Sequence, residues 1–141
     1  MMNGTFAWPD ESFWNDKILV LETSEAKLTP GKVGYVLRNF GLQDILERVR
    51  GLLFAKPKSY SSEGKARHDA RLLRIPVDEF GCRDLATDSN IDLGHTEPRH
   101  ILPYGIELEI DPGTESIAFR ESFYQWTNIA GERRAYEFRI E

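Results

Sequence analysis

Residues 105–141 constrain the fold more than any other stretch of this chain. Ile106, Leu108 and Ile110 alternate with Glu107, Glu109 and Asp111, the period-2 pattern of a strand with one buried and one solvated face. Asp111-Pro112-Gly113-Thr114 then supplies turn chemistry, with proline pre-setting φ and glycine free to take φ > 0. A second apolar run extends from Ile117 to Trp126, Asn128 to Gly131 turns the chain again, and Arg134, Tyr136, Phe138 and Ile140 share one face of a last strand. Strands joined in this way predict an antiparallel meander, and a meander with one apolar face needs a cover.

The cover is expected from residues 30–55. Thr29-Pro30 reads as a helix start, an N-cap hydroxyl followed by proline at the first helical position. Val33, Val36, Leu37 and Phe40 follow at helical spacing, and Leu42, Ile45, Leu46, Val49, Leu52 and Leu53 continue it on almost the opposite face. The pattern predicts two helices broken near Gly41, the second over 42–54. Upstream, Lys17 to Glu22 (KILVLE) reads as a short strand whose continuous apolar run suits a central position. The aromatics Phe6, Trp8, Phe13 and Trp14 read as an N-terminal arm packed on the body. Residues 56–69, rich in serine and lysine, read as a surface loop, Ala70 to Val77 as an edge strand ending at Pro76, and 78–104 as a long aperiodic connection. The expected architecture is a single α+β domain over 1–141. It has an antiparallel sheet of four to six strands, including the C-terminal meander, with the two-part helical segment packed on one face.

Charge narrows the function classes. The net charge is −5, and the acidic excess lies in the second half of the chain, which argues against nucleic acid as a partner. A local basic strip, Lys56, Lys58, Lys65, Arg67, His68, Arg71 and Arg74, with Tyr60 among it, is the exception, and Arg67 and Arg71 are its candidate binding residues. No apolar run approaches the length of a bilayer span. A lone cysteine, Cys82, and no visible secretory signal predict a cytoplasmic protein.

Several constellations carry potential chemistry. His95, Glu97 and His100 form H-x-E-x-x-H, but the histidines are five apart rather than four and Pro98 opposes a helix, so a zincin-type metal site is not expected. The three remain the candidates for acid–base work. Asp88, Asn90 and Asp92 resemble a calcium loop, but Leu93 and Arg99 stand where that loop needs glycine and glutamate. Glu63-Gly64-Lys65, with Asp10 upstream, makes a poor nuclease pattern because it reads as loop. No G-x-S-x-G, phosphate-binding or dinucleotide fingerprint is present, and no cofactor is predicted.

Aromatics crowd the last strands. Phe119 and Phe123 have one parity and Tyr124 and Trp126 the other, so this strand either carries a β-bulge or presents two apolar faces. Tyr124, Trp126 and Tyr136 are then candidates for a contact surface. The favoured reading is a non-catalytic binding protein that meets a protein partner or a second copy of itself, as a homodimer, through these sheet aromatics. The alternative is a small hydrolase or nucleic-acid-acting enzyme built on His95, Glu97 and His100.

Overall fold

The computed structural model describes residues 9–23, 28–58, 60–97 and 99–120, with the backbone of 126–127, 133–134 and 139–140. The chain divides into two compact units, Met1–His100 and Ile101–Glu141.

The first unit alternates strand and helix. Strand β1 (Ile18–Leu21) leads to helix α1 (Pro30–Gly41) and a single helical turn, α2 (Ile45–Arg48). Strand β2 (Gly51–Ala55), helix α3 (Ser62–Arg74) and strand β3 (Ala86–Ile91) follow. The three strands form one sheet in the order β1-β2-β3, and both pairings are parallel. The expected antiparallel α+β sheet is therefore wrong for this unit, which is a small α/β fold. Parallel neighbours need a crossover, and the helices supply it.

Three sequence expectations fail here for identifiable reasons. The helix expected over 42–54 is one turn followed by a strand: Val49 is already extended (φ −75°, ψ 151°), and all five residues of β2 are buried. A strand buried on both faces reads as a continuous apolar run, and periodicity alone does not separate it from a buried helix. The expected 56–69 loop and 70–77 strand are mostly α3. Its start is the serine-rich stretch itself, because the Ser61 hydroxyl caps the helix by accepting from the Gly64 N–H at 3.1 Å. The helix runs on through a π-helical turn, Ile75–Glu79. Finally, the aperiodic 78–104 stretch contains β3, whose polar sequence ATDSNI hides it; only Ile91 of this strand is buried.

The core shows how these elements pack. Val33 and Leu37 of α1, Leu52 and Phe54 of β2, and Leu72 and Ile75 of the α3 segment form one buried cluster. A second joins Phe40, Ile45, Leu46 and Val49, with Trp14 against it. Arg38 clamps Glu79 with two hydrogen bonds, Nε to Oε2 at 2.6 Å and Nη2 to Oε1 at 2.5 Å, and so ties α1 to the π-helical turn.

His68 of α3 is wholly buried, edge-on to Phe54 and Tyr60. Its Nδ1 lies 3.3 Å from Asp69 Oδ1, and its Nε2 has no hydrogen-bond partner among the described residues. Burial holds its pKa below the usual 6.5, against the opposing pull of Asp69. The unfolded chain takes up this proton near pH 6.5 and the folded chain resists it, so unfolding binds protons as the pH falls. Stability should drop from pH 7 to pH 5.5, by at most about 1.4 kcal/mol per pH unit. Denaturant midpoints at the two pH values check this. His68→Leu should flatten the difference, and an equal drop in that variant would move the effect to another group.

In the second unit, β4 (Leu108–Asp111) and β5 (Ser116–Phe119) pair antiparallel, with Ile110 opposite Ile117 and Leu108 opposite Phe119. Asp111 shapes the turn by accepting from the Gly113 and Thr114 N–H groups at 2.9 and 3.3 Å. Short pairs involving β6 (Trp126–Thr127), β7 (Arg133–Arg134) and β8 (Arg139–Ile140) complete the described backbone: β8 joins β5, and β6 pairs β7.

Candidate active site

Parallel strands place all their carboxyl ends on one edge of a sheet, and that edge is where open α/β sheets build their sites. Each strand of the first unit hands over a polar residue there. Glu22 directly follows β1, Lys56 follows β2 and Asp92 follows β3. The Lys56 N–H donates to the Ile91 carbonyl at 2.8 Å, and its ammonium meets Asp92 Oδ1 at 3.1 Å, which ties the ends of β2 and β3 together.

The loop after β3 carries His95. Leu93 anchors it in the core, and the His100 N–H closes it by donating to the Asp92 carbonyl at 2.7 Å. His95 Nδ1 then stands 3.5 Å from Glu22 Oε1, across from the end of β1. Gly94 makes this approach possible. Its φ of +77° is left-handed, and a Cβ at this position would overlap the Glu22 carboxylate. Thr23 and Thr96, the residues after each member of the pair, hold buried hydroxyls without hydrogen-bond partners among the described residues.

The chemistry of such a pair is well defined. A carboxylate facing Nδ1 keeps the proton on that nitrogen and leaves Nε2 as the acceptor, which is the tautomer a general base needs. Hydrogen bonds of this kind are often long before substrate binds, so a 3.5 Å separation suits the role. A groove of about 540 Å³ opens beside His95, lined by Lys56, Lys58, Lys65, Thr96, Glu97 and Arg99 among others.

The residues singled out from the sequence are distributed unevenly around this site. His95 belongs to the pair. Glu97 lines the groove, but its carboxylate is paired with Arg99 rather than with a histidine. His100 contributes the backbone N–H that closes the loop. Among the described residues, no three His, Cys, Asp or Glu side chains are placed to share a metal ion. Arg67 pairs with Glu63 at 3.4 Å along α3, and Arg71 lies against α1, where a Cβ on Gly34 would be 3.0 Å from its Nη1. Tyr124, Tyr136 and the Trp126 side chain lie outside the described residues. Burial, and then the charge of Glu47, raise the Cys82 pKa, which disfavours a reactive thiolate.

Sequence reasoning misses Glu22. Its signal was present, an acid at the end of the most apolar strand in the chain. It gains meaning only once that strand is parallel, because only then does its carboxyl end face the ends of β2 and β3.

The first unit is thus an α/β domain whose sheet edge carries an imidazole–carboxylate pair beside a groove. The chain belongs to the family of LD-carboxypeptidase C-terminal domains, whose family profile matches residues 1–110. Among solved structures it is similar to an MccF-like protein from Streptococcus pneumoniae in complex with AMP, at 31% identity and a TM-score of 0.66. That match covers 81% of this chain and 31% of the other, so the chain spans about a third of that protein's length. No curated protein matches the chain. Family and fold together overturn the reading of a non-catalytic binding protein on an antiparallel sheet: the domain comes from a peptidase family, and its sheet is parallel. No helix among the described residues is long and apolar enough to cross a membrane.

Proposed function

We propose that this chain supplies the acid–base half of an LD-carboxypeptidase-type hydrolase. In this reading His95 is the general base and Glu22 its orienter, acting on the amide bond before a carboxy-terminal D-residue. The observation that carries it is the Glu22–His95 pair, 3.5 Å apart at the carboxyl edge of a parallel sheet. Family membership supports the bond type. Nε2 takes the proton of the attacking hydroxyl or water and returns it to the departing amine. Among the described residues no hydroxyl or thiol hydrogen-bonds His95. We therefore assign the attacking group to water or to the part of the peptidase outside this domain. The single thiol and the lack of any disulfide suit a reducing compartment, and we place the activity in the cytoplasm.

The test is release of the terminal D-residue from a short peptide ending in an L,D pair, followed by chromatography. The protein is assayed alone and mixed with the remaining portion of an LD-carboxypeptidase. Release in either setting that His95→Ala abolishes is the expected result. No release in both settings, or release indifferent to His95, overturns the proposal.

A further inference from the structure

Gly94 lets His95 approach Glu22, and the same freedom leaves the histidine poorly held by its own backbone. Glycine takes left- and right-handed conformations at little cost, so the chain on either side of it has to be fixed from outside. Ile91 and Leu93 are buried, but apolar burial is non-directional and does not set the angle at which the chain leaves the sheet. The directional ties belong to Asp92, which stands between them. Its Oδ1 accepts from the Lys56 ammonium at 3.1 Å, and its carbonyl accepts from the His100 N–H at 2.7 Å. Lys56 is itself held by the sheet, because its N–H donates to the Ile91 carbonyl at 2.8 Å. One lysine therefore grips two successive residues at the end of β3, the first through its main chain and the second through its side chain. The two side chains are 37% and 30% exposed, so solvent and salt screen the pair less than they screen an open surface contact. Asp92 and His100 close the loop at its two ends, and His95 lies inside the closure.

We infer that Asp92 is a positioning residue for the His95 base, and that Lys56 acts on the base through it. The inference rests on the hydrolase reading above for the role of His95 and adds the device that aims it. Asp92 is not among the described residues that line the groove, so its part is not to hold substrate but to fix where the 92–100 loop leaves β3. The geometry makes the requirement steep. The Glu22–His95 separation of 3.5 Å is already at the outer limit of a hydrogen bond. A further ångström or so of play breaks the contact, frees the imidazole to take either tautomer and moves Nε2 off the reacting bond. The clamp aims a proton acceptor and makes no substrate contact, so its loss falls on kcat rather than on KM.

The first readout is the tautomer of His95, which does not depend on turnover. NMR shifts of the two ring nitrogens report which of them carries the proton. Asp92→Asn should move His95 from the form protonated on Nδ1 toward the mixture of a free imidazole. Lys56→Gln breaks the same contact from β2 and should move it alike, while Lys56→Arg, which keeps a cation for the carboxylate, should retain the parent tautomer. The second readout is hydrolysis, in whichever setting the parent turns over. Asp92→Asn should lower kcat by about 10- to 100-fold with KM little changed. Asp92→Asn also frees the Lys56 ammonium beside the groove, so a double variant with Lys56→Gln separates aim from charge. It should stay as slow as Asp92→Asn, and recovery of the rate would assign the effect to the freed cation and overturn the inference. A parent-like tautomer in both Asp92→Asn and Lys56→Gln overturns it too, as does a loss carried wholly by KM. Glu22→Gln keeps this failure apart from failure of the hydrolase reading. A tautomer that moves with Glu22→Gln but not with Asp92→Asn discards the positioning role and keeps the pair, whereas one indifferent to both discards both.

Discussion

On the proposed pairing of Glu22 with a His95 base, Glu22→Gln is expected to lower L,D-peptide hydrolysis by about 10²- to 10⁴-fold while leaving the fold intact. The amide presents either a neutral oxygen or an NH₂ group to Nδ1. The first stabilises the charged imidazole poorly, and the second favours the tautomer with its proton on Nε2, where it cannot act as a base. The fold should not notice, because both side chains are close to half exposed and surface ion pairs contribute about 0–1 kcal/mol. Gly94→Ala should mimic the loss without touching either member of the pair. Its new methyl group takes the space of the Glu22 carboxylate, and its φ of +77° is strained for alanine. Residues that act as one unit lose activity once, so the double variant should be no slower than the worse single one. The measurement is kcat/KM for the three variants, beside their thermal midpoints. Multiplying effects in the double variant would mean that Gly94 acts elsewhere. A fully active Glu22→Gln would remove the carboxylate from the mechanism.

Leu52→Ala and Leu53→Ala should each destabilise the protein by about 2–5 kcal/mol. The two residues are neighbours in β2 and point to opposite faces of the sheet, yet both are fully buried. Each truncation loses transfer energy and leaves a cavity that a central strand closes poorly. Against a typical domain stability of ~5–15 kcal/mol, either change removes a large fraction. The contrast that matters is Leu53→Asn. A helix with a single core-facing stripe would tolerate a polar residue at one of two adjacent positions, whereas a strand buried on both faces tolerates it at neither. Urea denaturation with an unchanged midpoint in any of the three variants would contradict the placement of β2 at the centre of the sheet.

Local signals were legible wherever the backbone is specified by neighbours in sequence. Thr29-Pro30 begins α1 as its residues dictate, the Thr29 hydroxyl accepting from the Lys32 N–H at 3.4 Å. Asp111 shapes the turn between β4 and β5 through its own side chain. The KILVLE run is β1, though not in the expected central position: it lies beside β2 at the end of the β1-β2-β3 order, and its four residues are half-buried. The failures came where the same composition serves two structures. Leu52 and Leu53 continue a helical stripe in the sequence and form part of a strand in the structure. Ser61, Ser62 and Gly64 looked like loop and instead begin α3. Ala86 to Ile91 looked like nothing regular, because an edge strand with a solvated face needs few apolar residues.

The site shows the same division more sharply. The amino-acid order alone determined that His95 sits in a polar loop with acids nearby, and that KILVLE is an apolar strand ending in an acid. Nothing in that order says which acid the histidine meets. Glu97 is close in sequence but turns to Arg99. Glu22 is far away in sequence, with α1, α2, β2, α3 and β3 between the two, and reaches His95 because β1, β2 and β3 run in the same direction. Strand direction is decided by how α1 and α3 bury their apolar faces against the sheet, a property of the assembled core rather than of any segment. Parallel pairing gathers the strand ends that an antiparallel sheet would have scattered to opposite edges, and the Glu22–His95 pair exists only because of that gathering.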